Sequence, residues 1–199
     1  MADLLEPIPQ TSIVPPGRYG IDAIGVVVTL VEGARIVSIV ATQAALLETA
    51  TRAYFGIALP TGPACVAASD LSIVGTGPGR WLAVGFGPDD LEDRLAGAFA
   101  SAAAVCDQSD AYVLFDVAGP NARDALAKGV AIDLDPRAFG PGDGATTSIA
   151  LVGATLWQMD DAPTFRFAIA RSFAPSFSRF LVTSAAEFGC SVAAAPPRS

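Results

Sequence analysis

A strand that leads directly into a helix constrains the fold of this 199-residue chain more than any other feature. Residues 112–117 form an apolar run rich in aromatic and β-branched side chains, which is typical of a buried strand. The Gly-Pro pair at 119–120 ends that strand and suits the first turn of a helix. The spacing then predicts a helix over 120–128, with Arg123 facing solvent and Gly129 closing the helix.

The segment after this helix, residues 133–139, is predicted to be irregular and rich in charge. It carries Asp133, Asp135 and Arg137, and it ends at an aromatic residue, Phe139. An irregular segment of this kind has to be specified by what it contacts. Arginine forms bidentate contacts to a partner's carboxylate, but an ion pair with one of the two aspartates would occupy Arg137 equally well. The sequence leaves both roles open.

The order of the predicted elements repeats along the chain. Each half, about 21–105 and about 106–190, has the order strand, helix, strands, helix, which is that of a split β-α-β, ferredoxin-like unit. We therefore predict an α+β fold in which two pseudo-repeated halves pack together as a single domain over 21–190. The proline-rich residues 1–20 are predicted to form an extended arm that lies on a neighbouring subunit or is disordered, and 191–199 a tail.

Local signals predict several further elements. Residues 24–40 suggest an apolar hairpin of two β-branched strands with a turn in the middle. A helix is expected over 42–54, with Thr42 as its N-cap and Tyr54 on its apolar face. The glycine-rich stretch 75–79 precedes a strand and lacks a Gly-Lys-Ser/Thr sequence, so it favours a hairpin loop over a nucleotide site.

Charge and composition exclude several classes of function. A net charge of −8 with a single lysine, Lys128, argues against nucleic acid and anionic membrane surfaces as partners. The chain has no histidine, which removes the Ser–His and Cys–His mechanisms and the commonest metal ligand. The apolar region 24–40 is interrupted by Glu32 and Arg35, far short of the roughly 20 residues that span a membrane.

Cysteine usage and hydrophobicity bear on the surroundings of the chain. Its three cysteines are widely separated, so neither a disulfide framework nor a zinc site is suggested, and a reducing, cytoplasmic location is expected. Hydrophobic residues make up 52% of the sequence, a high share. Either an alanine-rich, well-filled core or coverage of apolar surface by other subunits would explain it.

The motifs between residues 112 and 139 resemble those of a known protein family. A strand, Gly-Pro-x-Ala-x-x-x-Leu, Lys-Gly and then Asp-Leu-x-Pro-Arg-Ala-Phe resembles the gamma subunit of heterotetrameric sarcosine oxidase, and length and element order agree over nearly the whole chain. Val130 stands where that pattern has cysteine, and Asp135 stands where it has histidine. These departures leave open which N-methyl amine is oxidised. The resemblance implies the fold of the folate-binding domain of aminomethyltransferases.

The same resemblance implies a non-catalytic, structural subunit. In this family sarcosine is oxidatively demethylated to glycine, with release of hydrogen peroxide and transfer of the one-carbon unit to tetrahydrofolate. The implied partners are the alpha, beta and delta subunits, and FAD, FMN, NAD, tetrahydrofolate and zinc are implied for those partners. No catalytic, cofactor or metal residues are expected on this chain. The candidate subunit interface consists of Asp133, Asp135, Arg137 and Phe139.

Two alternatives remain beside this reading. One is a gamma-like subunit of another N-methyl amine oxidase. The other is a free-standing folate-binding one-carbon protein of the aminomethyltransferase fold. Against the latter, the folate-dependent iron–sulfur assembly factors carry Lys-Gly-Cys-Tyr, whereas Lys128 and Gly129 are followed here by Val130 and Ala131. Aminomethyltransferases also carry a further C-terminal domain, for which no room is expected. A residual folate pocket is left open.

Overall fold

The structure is a computed structural model that describes residues 13–88 and 90–194. The strands in this part of the chain are β1 (Gly17–Tyr19), β2 (Val26–Val31), β3 (Ala34–Ala41), β4 (Cys65–Ala68), β5 (Leu71–Gly77), β6 (Arg80–Phe86), β7 (Ala103–Asp107), β8 (Tyr112–Ala118), β9 (Gly144–Ile149), β10 (Val152–Asp160), β11 (Thr164–Ala170) and β12 (Cys190–Ala194). The α-helices are α1 (Ala44–Phe55), α2 (Leu91–Phe99), α3 (Ala122–Ala127) and α4 (Ala174–Ala185). None of the helices in these ranges is long and apolar enough to cross a membrane.

The strands form two sheets that repeat one topology. The five-stranded sheet has the order β4-β5-β6-β3-β7, and the seven-stranded sheet has the order β1-β12-β2-β8-β11-β10-β9. Without β4, the order of the first sheet is that of a ferredoxin-like unit. The second sheet repeats the order β4-β5-β6-β3-β7 as β9-β10-β11-β8-β12, with β2 inserted between β8 and β12. The predicted α+β class is confirmed. Each half also gains a final strand, and β12 includes residues 191–194 of the predicted tail at 191–199.

The predicted hairpin over 24–40 is wrong, although its two strands and their turn exist. Gly33 makes the turn with a φ of 70°. The strand before it, β2, pairs with β8 and β12, whereas β3 pairs with β6 and β7 in the other sheet. Both strands are apolar enough to be central, so each takes two partners in a sheet of its own instead of pairing with the other. The chain thus crosses from one sheet to the other at Gly33.

Three apolar clusters arrange these elements in four layers. One cluster lies between the seven-stranded sheet and helices α3 and α4, and another lies between the five-stranded sheet and helices α1 and α2. The third joins the inner faces of the two sheets. It consists of Val31, Ile36, Val74, Leu82, Val84, Leu114, Trp157 and Ala168. The layers therefore follow the order helices, sheet, sheet, helices.

The predicted N-terminal arm, 1–20, packs on its own chain wherever the structure describes it. Ile13 and Val14 are buried in the cluster beside α4, and the Ser178 hydroxyl donates a hydrogen bond to the Ile13 carbonyl at 2.9 Å. The strand β1 then pairs with β12 at the edge of the seven-stranded sheet. Residues 1–12 lie outside the described residues. From Ile13 onward the segment is part of the fold.

The helix α1 differs from its prediction at its N-cap and on its buried face. Gln43 occupies the N-cap position, and the Thr42 hydroxyl instead donates to the Ser101 carbonyl across the neighbouring turn. Tyr54 is 68% exposed, whereas Thr51 is buried because its hydroxyl bonds to the carbonyl one helical turn earlier. A polar side chain that satisfies itself locally can take a core position that periodicity assigns to an aromatic residue.

Gly129 serves close packing between helices and not the helix end that the sequence predicts. The helix α3 ends at Ala127, and the residue after it, Lys128, keeps a helical φ of −68°. Gly129 is not among the glycines of positive φ. A Cβ at Gly129 would lie 2.5 Å from the Phe180 ring of α4. The missing side chain therefore lets the end of α3 approach α4.

Gly189 gives a test of the connection between α4 and β12. It has a φ of 73°, and a Cβ there would lie 1.8 Å from the Ala23 carbonyl oxygen. Gly189→Ala should therefore lower the free energy of unfolding by about 2–4 kcal/mol in urea titrations. Gly97→Ala in α2 is the matched control, because a Cβ there meets open space. It should leave stability unchanged or raise it by up to about 1 kcal/mol. Equal stability of the Gly189→Ala variant and the parent chain would contradict the close approach.

Candidate functional site

The segment 133–139 is anchored in the core of this chain at two points. Leu134 and Phe139 are buried in the cluster that α3 and α4 cover. The Phe139 ring lies 6.3 Å from the ring of Phe165 on β11, measured between centroids. Phe139 is thus an internal anchor, and its burial does not fit the partner contact predicted for it. Its aromatic side chain stabilises the fold from which the charged residues of the segment project.

Arg123 holds this segment in place. Its guanidinium donates hydrogen bonds to the carbonyls of Leu134 and Phe139 and to the Gln158 side-chain oxygen, the last at 2.9 Å. It also lies 5.0 Å from the centroid of the Phe165 ring. Five N–H donors in a rigid fork allow one arginine to bind several separate acceptors. The prediction that Arg123 faces solvent is wrong, because the segment folds back over α3 and covers the guanidinium.

The charged residues of the segment lie at the surface and bond to one another. The Asp135 carboxylate accepts hydrogen bonds from Arg137 Nε at 2.9 Å and Nη2 at 3.1 Å, and the Asp133 carboxylate accepts from the Asp135 backbone at 2.9 Å. The hydrogen bond from Arg137 lowers the pKa of Asp135. The ion pair left open by the sequence forms, yet the Arg137 side chain remains 91% exposed. A partner contact by Asp133, Asp135 and Arg137 stays a prediction.

A buried ion pair that sequence reasoning missed lies between the two sheets. Arg166 on β11 donates to both Asp116 oxygens, at 2.6 and 2.7 Å, across the pairing with β8. The Arg166 guanidinium lies 5.3 Å from the ring centroid of Phe86, which belongs to the other sheet. Both charged residues interrupt apolar strands, and this signal was available in the sequence. Because the Arg166 guanidinium is bound at two positions by Asp116, its role is to stabilise the fold.

The thiols of Cys65 and Cys190 are poor candidates for a nucleophile. Burial raises the pKa of Cys65 to about 12, against a smaller opposing effect of the nearby Arg166 charge. Burial also raises the pKa of Cys190. A thiol must ionise to attack or to bind metal, so both stay in the unreactive form near neutral pH. In the described part of the chain, no group of three or more Cys, Asp or Glu residues could hold a metal ion.

An apolar cavity of about 580 Å³ opens on the five-stranded sheet. It lies between the loop 60–63 and the hairpin 75–79, beside Trp81. The indole N–H of Trp81 donates to the Pro60 carbonyl at 2.9 Å, which fixes the ring. The predicted hairpin at 75–79 is confirmed, but β5 extends to Gly77, so only 78–79 form the turn before β6. No charged side chain lines this cavity among the described residues, so it provides shape and hydroxyl groups but no acid or base.

The same fold occurs in an aminomethyltransferase. The glycine cleavage system aminomethyltransferase T from Bartonella henselae superimposes with a TM-score of 0.61 over 86% of this chain and 48% of that chain, at 12% identity. At this identity the likeness shows the fold alone, and the fold is that of an aminomethyltransferase folate-binding domain.

A second comparison identifies the family. The model of the sarcosine oxidase, gamma subunit family matches residues 40–187, and the chain belongs to that family. A chain of the heterotetrameric sarcosine oxidase from Corynebacterium sp. U-96, solved in complex with pyrrole 2-carboxylate, has a TM-score of 0.77 at 25% identity. The match covers 85% of this chain and 88% of that chain. No curated protein matches the sequence. The resemblance found in the sequence is confirmed.

Replacing Arg123 tests whether it organises the segment. Arg123→Met should lower the free energy of unfolding by about 2–4 kcal/mol, because two carbonyls and an amide lose a charged donor. Amide hydrogen exchange in 133–139 should also become faster. Arg137→Met is the control, since that side chain is exposed, and it should leave stability and exchange in the rest of the chain unchanged. Unchanged exchange in the Arg123→Met variant would show that the segment holds its shape without the guanidinium.

Proposed function

We propose that this chain is the non-catalytic gamma subunit of a heterotetrameric sarcosine oxidase. The observation that carries the proposal is family membership over residues 40–187, supported by the shared fold of a chain of the Corynebacterium enzyme. In the proposed complex the alpha, beta and delta subunits oxidatively demethylate sarcosine to glycine. They release hydrogen peroxide and transfer the one-carbon unit to tetrahydrofolate. FAD, FMN, NAD, tetrahydrofolate and zinc are proposed to bind to those subunits.

The roles of the buried Arg166 and of the half-buried Arg123 and Cys65 support a structural function. Arg123 holds a loop against α3, and Arg166 holds two strands and an aromatic ring of the facing sheet. The thiol of Cys65 is protonated near neutral pH because it is buried. These groups stabilise this chain's own fold, whereas a catalytic acid, base or nucleophile needs access to a substrate. We therefore assign the chemistry of the complex to its other subunits.

The free cysteines and the charged segment 133–139 bear on the location and the partner contacts of the proposed subunit. Its three cysteines are all free, which suits a reducing compartment, and we propose the cytoplasm. The exposed charged residues of the segment 133–139 are proposed to contact a partner subunit. Arg137 is the strongest candidate, because its side chain is 91% exposed and keeps donors that Asp135 does not use.

The apolar cavity beside Trp81 favours a second candidate function. A cavity of about 580 Å³ has the size of a small-molecule site, and the fold is shared with an aminomethyltransferase. A free-standing folate-binding one-carbon protein is therefore the second candidate. A gamma-like subunit of another N-methyl amine oxidase differs from the first proposal only in the substrate of the complex.

Purification at native expression level separates these functions. We expect a complex several times larger than 20.2 kDa, yellow from flavin, that produces hydrogen peroxide with sarcosine. A complex of the same size that produces peroxide only with a different N-methyl amine would assign another substrate. A colourless monomer that binds tetrahydrofolate would contradict the subunit proposal and favour the second candidate.

A double substitution tests the charged surface of the segment. Asp133→Ala combined with Arg137→Ala should abolish co-purification with the other subunits and leave the circular dichroism of the isolated chain unchanged. The control combines Asp90→Ala with Arg94→Ala, which removes the surface contacts of 4.0 Å that Arg94 makes with Asp90 and Asp70. Co-purification should survive the control. Equal recovery of the complex with both double variants would exclude the segment from the interface.

A further inference from the structure

The apolar cavity beside Trp81 lies where the two halves of the chain meet. Its walls come from the loop 60–63 and the segment 75–79 of the first half and from Thr146 on β9 of the second half. Its volume of about 580 Å³ lies within the range of small-molecule sites, which is about 300–1,000 Å³. The size and the concave shape therefore suit a small ligand.

Backbone hydrogen bonds fix the wall that the loop 60–63 forms. The Gly144 amide donates to the Pro63 carbonyl at 3.0 Å, and the Cys65 amide donates to the Gly142 carbonyl at 2.6 Å. These bonds tie the loop to the start of β9, as the Trp81 indole ties it to β6. The cavity is thus part of the fold, and little conformational entropy would be lost when a ligand fills it.

Glycines keep the cavity open. A Cβ at Gly75 would lie 2.1 Å from the Gly62 carbonyl oxygen, so the missing side chain lets the loop cross β5. Gly62 and Gly77 are different, because a Cβ at either residue meets nothing within 4 Å. Neither of these two is among the glycines of positive φ. Their backbone does not require glycine, and what the missing side chains leave there is space.

The lining restricts the charge of the ligand. It consists of Trp81, three prolines, three threonines, four glycines and an alanine, and no charged side chain is present among the described residues. A charged ligand would lose water in this cavity without gaining a counter-charge. The net charge of −8 further disfavours anions. Thr61 and Thr76 supply hydroxyl groups that donate or accept hydrogen bonds.

We propose that this cavity binds an uncharged aromatic ring compound, which packs on the Trp81 indole and forms hydrogen bonds through its edge to threonine hydroxyls. Aromatic rings pack favourably on a fixed indole, in offset-stacked or edge-to-face arrangements. The inference goes beyond the proposed function, which assigns no ligand to this chain. It also differs from the second candidate function, because tetrahydrofolate carries a charged glutamate.

The two tryptophans of the chain allow binding to be observed at the site itself. Trp81 lines the cavity, whereas Trp157 is 2% exposed and lies between the sheets. Titration of the isotope-labelled full chain with indoleacetamide or naphthol should shift the NMR signal of the Trp81 indole N–H and not that of Trp157. The Kd should be about 1 mM or lower. The anionic counterparts, indoleacetate and naphthoate, should bind at least about tenfold more weakly.

Filling the cavity tests its position. Gly62→Leu combined with Gly77→Leu should raise the Kd of both neutral probes at least about tenfold, because the added side chains occupy the space of the ligand. Gly153→Leu on β10 is the matched control, since a Cβ there also meets nothing within 4 Å and the residue does not line the cavity. It should leave the Kd unchanged. Circular dichroism checks that each variant is folded.

Three results would overturn the inference. They are no shift of the Trp81 signal with either neutral probe, equal affinity for the neutral and anionic probes, and an unchanged Kd in the folded double variant. The comparison of neutral and anionic probes needs no substitution, so it decides the matter even where the double variant does not fold. Each of these results leaves the proposed function intact.

Equilibrium dialysis of the purified complex distinguishes a ligand from a protein partner. We expect the neutral probes to bind the complex with the Kd measured for the chain alone. If assembly abolishes binding, a partner subunit fills the cavity and the inference is overturned, while the proposed function holds. If no complex forms but the neutral probes bind, the proposed function fails and the inference holds. Binding of tetrahydrofolate without binding of the neutral probes overturns the inference and favours the second candidate function.

Discussion

The packing of the two sheets against each other is the constraint on which the rest of the structure depends. Each sheet covers one face with its own helices and the other face with the opposite sheet, so neither half can bury its apolar surface alone. The strand β2 lies between β12 and β8 in the seven-stranded sheet, yet in sequence it comes before every strand of the five-stranded sheet. The chain that leaves β2 therefore links the two sheets covalently. The duplicated halves are therefore interlocked through β2 and the packing of the two sheets.

The buried guanidinium of Arg166 and the half-buried guanidinium of Arg123 add specificity to this apolar packing. Arg166 and Asp116 satisfy each other within one sheet, and Arg166 also contacts Phe86 of the other sheet. Removing one member of a buried pair commonly costs about 3–5 kcal/mol, because the other charge is left without a partner. Arg123 serves the segment 133–139 in a similar way by binding carbonyls that would otherwise be buried without donors. Both arginines define which strands and loops lie together.

What the sequence could predict follows from the range of the interactions involved. Strand–helix order, the turn at Gly33 and the hairpin at 75–79 depend on neighbouring residues, and these predictions hold. The partners of Arg123 lie 11, 16 and 35 residues away, and no local pattern reports such contacts. Phe139 shows a related limit, because an apolar residue in an irregular segment looks the same whether it enters its own core or a partner.

The high hydrophobic content is largely explained by the chain's own interior. Three clusters absorb apolar side chains from the strands and helices of both halves, and few large hydrophobic residues in the described part remain exposed. A partner therefore has no broad apolar face to cover here. An interface on this surface would depend on a few anchors surrounded by polar contacts, the arrangement found where a small number of residues carry most of the binding energy. The charged side chains of 133–137 are polar groups of the kind that such an interface would use.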